Sequence, residues 1–371
     1  MLFSKRFFCS KKFKLINFVQ KSSHFDYIIV GVGLAGIAFA ETCLNNKKSI
    51  FVYDNHSQNS SKIAGGLYNP VILKRFSGLE NAQEQLNELD IFYKKLENKL
   101  QSKFDHKIQI LRKFFSIEEQ NNWFAASDKE SLAPFLSLEI IDDQITGIDA
   151  PFGYGEVLQT GFVNTAYLLE KYQQYLTEEN SLSKDIFEYD QLKITKNVIR
   201  YKNLSANNIV FAEGFGIHAN PYFNYLPLDG TKGELFIVKA PQLDLKVIIN
   251  TSVFIIPLGN DLFKIGATYN WQVKTNEPTP IGKEELLNKI KEILTCEFEI
   301  IEHFAGIRPT VRDRKPLLGT HPQYPEFHII NGLGTRGVMI GPWAAKILFN
   351  AIENHITIEK SLNINRFSNM I

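Results

Sequence analysis

Apolar residues first run unbroken from Tyr27 to Val30, behind Asp26. Such a short continuous run predicts a strand buried on both faces, as in a parallel sheet. Gly31–Gly36 follow, then helical spacing to about Asn45, and Ser49–Tyr53 repeats the buried-strand pattern. Strand, glycine turn, helix and strand in that order open a doubly wound α/β sheet. Charged sequence with Leu, Ile and Phe at helical spacing predicts helix over 79–111, and Phe162–Leu176 reads as another. Ile209–Ala212 is a short buried strand running into Gly214 and Gly216. Between 226 and 300 the pattern turns β-like, at Glu234–Val238, Val247–Ile249, Phe254–Pro257 and Phe263–Gly266, with one amphipathic helix near 282–294. Glycines return over 305–341 ahead of a helix at 342–353.

The fold class expected is therefore α/β. A Rossmann-like nucleotide-binding domain (25–80, 145–225 and 300–371) is interleaved with an α+β substrate domain (81–144 and 226–299) built on an antiparallel sheet. A length of 371 residues suits two domains. Residues 1–24 stand apart, with six basic side chains and no acid, and read as a disordered basic tail. The near-neutral total of +1 is thus a sum of opposites, since the remainder carries 35 basic against 40 acidic residues, about −5. That balance argues against a surface built wholly for nucleic acid but leaves room for a local basic patch. Three scattered cysteines form no CxxC pair, so neither a disulfide framework nor a thiolate metal site is expected, and the cytoplasm is the natural compartment. No metal site is expected among the scattered histidines, and no apolar run approaches the ~20 residues of a membrane span.

Gly31-Val-Gly33-Leu34-Ala35-Gly36 is a GxGxxG fingerprint in its proper setting, between a strand and a helix. Its glycines allow a tight turn, close approach to a pyrophosphate and helix–strand packing, and the helix N-terminus offers free N–H groups to phosphate. Asp54 ends the second strand, 23 residues after Gly31, where a carboxylate accepts hydrogen bonds from ribose hydroxyls. Ala64-Gly65-Gly66-Leu67 is a second small-residue segment that lets backbone approach a dinucleotide. Near the C-terminus come Gly306-Ile-Arg308-Pro and Asn331-Gly332-Leu-Gly334-Thr335-Arg336-Gly337. Arg308 offers two parallel donors to a carboxylate; an intramolecular acid is the competing partner. Arg312, Arg314 and Lys315 read as a solvated turn, and Tyr68 and Tyr269 as pocket-lining candidates.

Taken in order, these features resemble the FAD-dependent oxidoreductases of the D-amino-acid oxidase and glycine oxidase group, from about Phe25 to the C-terminus. Within the group, the stretches AGGLYNP (64–70), IGATYNW (265–271) and GLGTRGVMIGPWAAKIL (332–348) are similar to the oxidoreductase half of bacterial enzymes that mature 5-methylaminomethyl-2-thiouridine in tRNA. The resemblance implies FAD as cofactor. Gly31, Gly33 and Gly36, with Leu34 and Ala35, would hold its pyrophosphate, and Asp54 the adenosine ribose. Ala64–Leu67 would lie near the flavin. Gly214 would touch the cofactor, although Glu213 departs from the family's small residue. Gly332, Gly334, Thr335 and Gly337 would present N–H groups to the flavin's pyrimidine edge. Arg308 matches the family's carboxylate-binding arginine, while Arg336, inside the glycine loop, is placed to reach either substrate or flavin and Tyr269 to line the pocket. The activity implied is hydride transfer from the carbon beside an amine to flavin N5, with Arg308, Arg336 and Tyr269 as the catalytic set. Two alternatives use the same fold: the same chemistry on a tRNA wobble uridine, and flavin binding without turnover.

Overall fold

The structure is a computed structural model that describes residues 23–370. The basic tail lies outside the described residues except for Ser23 and His24. These two already belong to the first strand, β1 (Ser23–Val30), and pair with Leu204 and Ser205. Helix α1 (Leu34–Asn45) and strand β2 (Ile50–Tyr53) complete the expected opening unit. β1 lies between β2 and the strand Leu204–Phe211, parallel to both, and Phe327–Asn331 extends the sheet in parallel beyond that strand. Leu182–Ser183 adds a parallel strand outside β2.

Continuous apolar strands follow from this layering. Tyr27 and Ile29 of β1 enter the core under α1 and the C-terminal helix Gly337–Glu353, while Ile28 and Val30 enter a second core on the opposite face. Side chains alternate across a strand, so a strand covered on both faces has no polar phase.

The second sheet runs in the order 299–308, 231–239, 262–266, 254–259, 248–250, 110–113, 154–157, 136–141. It is antiparallel except where Ile248–Asn250 runs parallel to Ile110–Lys113. Strand Glu299–Arg308 carries a bulge: Glu302 pairs with Ile237 and Ile300 with Val238, leaving Ile301 without a partner residue. One face of this sheet is covered by helix Pro280–Lys291, whose Thr279 cap accepts Gly282 N–H at 3.0 Å.

Several boundaries differ from the sequence reading. The helix expected over 79–111 is Ala82–Leu100, ended by Gln101 at φ +47, and 105–107 and 110–113 are strands. It also packs on the C-terminal helix, with Tyr93 Oη donating to Val338 O at 3.1 Å, rather than standing in the substrate domain. Gly161–Val163 is strand, and the following helix (Thr165–Glu178) starts at the Asn164 cap. The last helix begins at Gly337, five residues before the expected start. Strands 154–157 and 299–308 pair in the second sheet, not with the nucleotide-binding part. Periodicity alone cannot register such exchanges, because hydrogen-bond partners far apart in sequence decide them. No helix among the described residues is long and apolar enough to cross a membrane.

Candidate active site

The fingerprint turn has no spare volume. A Cβ on Gly36 would lie 1.9 Å from Gly31 O, and one on Gly31, itself at φ +103, would lie 2.5 Å from Ala212 O. Close packing of three backbone segments therefore demands glycine here. At the head of α1, the Gly33 cap has no side-chain hydrogen bond, and Leu34 N–H donates to Ser61 Oγ at 3.2 Å. The first turn holds no acid, so its positive dipole end is left to an anion. Asp54 sits at the end of β2 with the His56 N–H on Oδ1 at 3.2 Å and His56 Nδ1 3.4 Å from Oδ2. Burial pushes its carboxyl above the usual range, and the His56 and Val32 N–H groups pull it back.

Residues 59–66 lie against the strand that ends at Arg308. Asn59 Nδ2 donates to Ala305 O at 3.2 Å, and Ile63 occupies the space above Gly306. Gly66 is at φ +73, with its Cβ position 2.0 Å from Val163 O, and Gly65 packs on the Phe254 ring. A cavity of about 220 Å³ opens beside Gly65, lined by Lys62, Ile63, Asn164, Ile256, Lys264 and Phe304.

Arg308 ends its strand on the face toward this segment. Its guanidinium lies over Gly233, where a Cβ would come within 2.1 Å of Nη2. Nη1 donates to Thr268 O at 3.2 Å, and the Tyr269 ring covers the group at 4.5 Å. No carboxylate among the described residues comes within ion-pair range, so the competing intramolecular partner is not found. Burial lowers its pKa. Pro309 O, the next carbonyl, accepts Gly334 N–H at 3.0 Å and so ties the arginine to the last glycine loop. In that loop Gly332 (φ +72) and Gly334 (φ +58) take left-handed turns, and Arg336 caps the C-terminal helix. Gly337 and Gly341 of this helix pack on Leu34, which brings its N-terminus beside that of α1.

Residues 26–351 match the model of the family described as "FAD dependent oxidoreductase" (DAO). The chain belongs to this family. Its cofactor is FAD, and the glycine cradle with the uncapped α1 N-terminus fits a dinucleotide. This FAD-dependent oxidoreductase is 21% identical over 363 residues to glycine oxidase of Bacillus subtilis (strain 168), across 89% of the chain and 94% of that protein. It is 22% identical over 277 residues to the tRNA 5-methylaminomethyl-2-thiouridine biosynthesis bifunctional protein MnmC of Legionella pneumophila subsp. pneumophila (strain Philadelphia 1 / ATCC 33152 / DSM 7513). That match spans 62% of the chain and 40% of the relative. Among solved structures, glycine oxidase from Geobacillus kaustophilus shares the fold at a TM-score of 0.72, with 17% identity, over 93% of this chain and 98% of that one. Iminodiacetate oxidase (IdaA) from Chelativorans sp. BNC1 does so at 0.73, with 15% identity, over 91% and 98%.

Within the oxidoreductase, the sequence-predicted positions gather around one region: fingerprint and Asp54 on one side, Ala64–Leu67 below, Arg308 and the 332–337 loop beyond. Gly214 (φ +57) has open space at its Cβ, and its carbonyl accepts Asn331 Nδ2 at 2.9 Å, just before that loop. Thr335 is exposed at the loop tip. Tyr68 does not line the pocket: it is buried and donates to Asp105 Oδ1 at 2.8 Å. Glu213 turns from the fingerprint, hydrogen-bonded by Tyr189 Oη and by Asn220 Nδ2 at 2.7 Å. Burial without a cation pushes it up to about 7, against those two hydrogen bonds.

Three further residues belong to the site's construction. Lys264 lies on the cavity face, donates to Ala64 O at 3.2 Å, and has its pKa lowered by burial. A lysine in an apolar strand was the available signal. Gly233 makes room for Arg308 and carries no signal beyond being glycine. Glu234, on the opposite face, accepts Thr279 N–H at 2.9 Å and Thr279 Oγ at 2.7 Å, lies 3.7 Å from Lys232, and has His303 Nε2 at 2.9 Å. Lys232 in turn donates to Thr275 Oγ at 3.1 Å and to Glu277 O. This buried pair clamps the 268–279 loop that holds Tyr269 over Arg308.

Proposed function

We propose that the enzyme oxidises the C–N bond of a small amine that bears a carboxylate, an amino acid or an N-substituted glycine. One observation carries the reading: Arg308, partly buried and without a carboxylate partner among the described residues, sits beside both glycine loops that suit the cofactor. A buried cation without a counter-ion is costly, and an incoming carboxylate supplies it along with two parallel hydrogen bonds. When bound, FAD would supply a two-electron acceptor for the hydride of the C–H beside the amine, the nitrogen lone pair closing a C=N bond that water then hydrolyses. The protein's part is orientation and charge. Arg308 would fix the carboxylate and Tyr269 limit its swing, and the N–H groups of 332–337 with the adjoining helix N-terminus would help hold FAD and favour negative charge developing on it.

A polymer-borne N-carboxymethyl group on a tRNA uridine is the second reading. The likeness to proteins named for that pathway favours it, as do the exposed Tyr269 and Trp271. The body's net of about −5 weighs on the other side. Anaerobic mixing of the FAD-loaded protein with glycine, sarcosine, D-amino acids and N-carboxymethylated tRNA, followed by flavin absorbance, decides. Bleaching by a small amine, lost in Arg308→Ala that retains FAD, is the expected result. Bleaching by tRNA alone selects the second reading. No bleaching by any of them overturns both in favour of a non-catalytic flavin module, and normal reduction of Arg308→Ala overturns the anchor.

A further inference from the structure

The 268–279 loop puts two groups on the anchor. Thr268 O accepts from Arg308 Nη1 at 3.2 Å, and Arg308 Cζ lies 4.5 Å from the centre of the Tyr269 ring. Little of the loop is buried. Between Trp271 and Pro278 only Val273 and Asn276 are even partly covered, so apolar burial does little to hold it in place. Its first residues rest on backbone bonds: Thr268 N–H to Glu234 O at 3.1 Å, and an isolated bridge in which Lys232 and Asn270 exchange bonds of 2.8 and 2.9 Å. Lys274 Nζ adds a bond to Gly230 O at 2.7 Å. The return of the loop is held by two side chains: Lys232 donates to Thr275 Oγ and Glu277 O, and Glu234 accepts from both Thr279 N–H and Thr279 Oγ. Thr231 pairs with Arg308 and Gly233 with Gly306, so Lys232 and Glu234 point to the face opposite the guanidinium. Their side chains are 1% and 3% exposed there, and His303 Nε2 lies 2.9 Å from Glu234 Oε2. Gly282 leaves the room, since a Cβ on it would come within 2.3 Å of Glu234 Cδ.

Desolvation offsets most of the attraction within a buried ion pair, so such a pair contributes little net stability. What this one supplies is direction, because it ties both charges to the far end of a loop with little packing of its own. We infer that Lys232 and Glu234 are positioning residues for the reaction, acting from behind the sheet. By holding 275–279 they keep Thr268 O and the Tyr269 ring in place, and these two groups aim the Arg308 guanidinium. The inference rests on the reading of Arg308 as the substrate's carboxylate anchor and extends that site to two residues that never touch substrate.

The double variant Lys232→Met/Glu234→Gln removes both charges together, so that neither is left buried alone. In FAD-loaded form it is compared with Leu286→Ala, which truncates a fully buried side chain of the helix over the same face. The readout is the ratio of kcat/KM for sarcosine to that for sarcosinamide, which lacks the carboxylate. In the double variant this ratio is expected to fall about tenfold or more, the factor of one charge-assisted hydrogen bond, through KM rather than kcat. Leu286→Ala should lose stability and keep the ratio. Trp271 reports on the loop itself, because Trp123 and Trp343 are buried, and its quenching by acrylamide should rise in the double variant alone. Should that variant fail to fold, Thr275→Val, which removes only the loop's own hydroxyl partner of Lys232, decides by the same two readouts. A ratio that favours sarcosine in the unmodified enzyme and persists in a folded, FAD-loaded double variant overturns the inference alone, as does an equal fall in Leu286→Ala. A ratio of about one in the unmodified enzyme removes the anchor and the inference with it. If neither amine bleaches the flavin, the oxidation reading falls, and acetate binding read from flavin absorbance replaces the ratio. A similar loss of acetate affinity in the double variant then upholds the inference, and equal or absent binding overturns it.

Discussion

Gly233→Ala separates the carboxylate anchor from the fold. The substitution adds one methyl group, at 2.1 Å from Arg308 Nη2, 2.2 Å from Cζ and 2.3 Å from Nη1. Ordinary contact for such atoms begins near 3.4 Å, so the guanidinium must move by more than 1 Å. It can do so, because it is the free end of a flexible side chain held by one hydrogen bond to Thr268 O. Gly233 is not at positive φ, and its strand accepts alanine without strain. Losing the Thr268 bond costs about 1 kcal/mol, and the lower chain entropy of alanine when unfolded returns about 0.4–1 kcal/mol. Stability is therefore expected to change by about 1 kcal/mol or less, with FAD content intact. A guanidinium displaced by 1 Å cannot keep both bonds of a bidentate carboxylate contact. Losing one charge-assisted bond, about 1.5–3 kcal/mol, raises KM for carboxylate amines by roughly 10–150-fold. Steady-state kinetics with sarcosine and with sarcosinamide, alongside thermal unfolding and the flavin spectrum, provide the assay. The sarcosine value is expected to collapse toward that of the amide. A folded, FAD-loaded Gly233→Ala enzyme with unchanged KM for sarcosine would refute the placement of Arg308 as anchor.

Glu213→Gln should change the pH dependence of stability. The carboxyl is held near 7 in the folded chain against 4.5 when unfolded, so its contribution is full below about pH 4.5, falls away between 4.5 and 7, and is gone above 7. The difference amounts to about 3 kcal/mol, and above pH 7 the glutamine variant should unfold at the higher temperature, with the gap closing on acidification. An unchanged pH profile counts against a buried, cation-free Glu213. Gly36→Ala places a Cβ 1.9 Å from Gly31 O, a backbone atom that cannot yield, so the turn must open. Loss of FAD from the purified protein and a drop of about 3 kcal/mol in unfolding free energy are expected, and a yellow, equally stable variant would contradict the packing of this turn.

The legible part of the fold was the part whose pattern is local. β1, α1 and β2 announce themselves because a strand covered on both faces is apolar throughout and the turn needs its glycines. Arg308 was legible through the proline and glycine around it. The second sheet was not: 154–157 and 299–308 look no different whichever sheet they join, and pairing with strands well removed in sequence, as in Thr231 with Arg308, decides. Gly233 and Glu234 were hidden for a related reason. Each matters through what lies across the sheet from it, Arg308 on one face and the Thr279 loop start on the other. Lys264 was legible in principle as a cation inside an apolar strand.

The bulge at Ile301 bears on how this chain can drift. Between it and the strand end, Glu302–Ile307 keep strict alternation with residues 232–237, and that phase sets which face Arg308 takes. One residue gained or lost within Glu302–Ile307 would turn the guanidinium toward the helix side and expose Gly233 to nothing. Upstream of the bulge the same change only slides Glu299 and Ile300 at the rim, since a bulge absorbs an odd residue. Length variation in this strand should therefore be permitted at its outer end and forbidden over the six residues that measure the distance to the anchor.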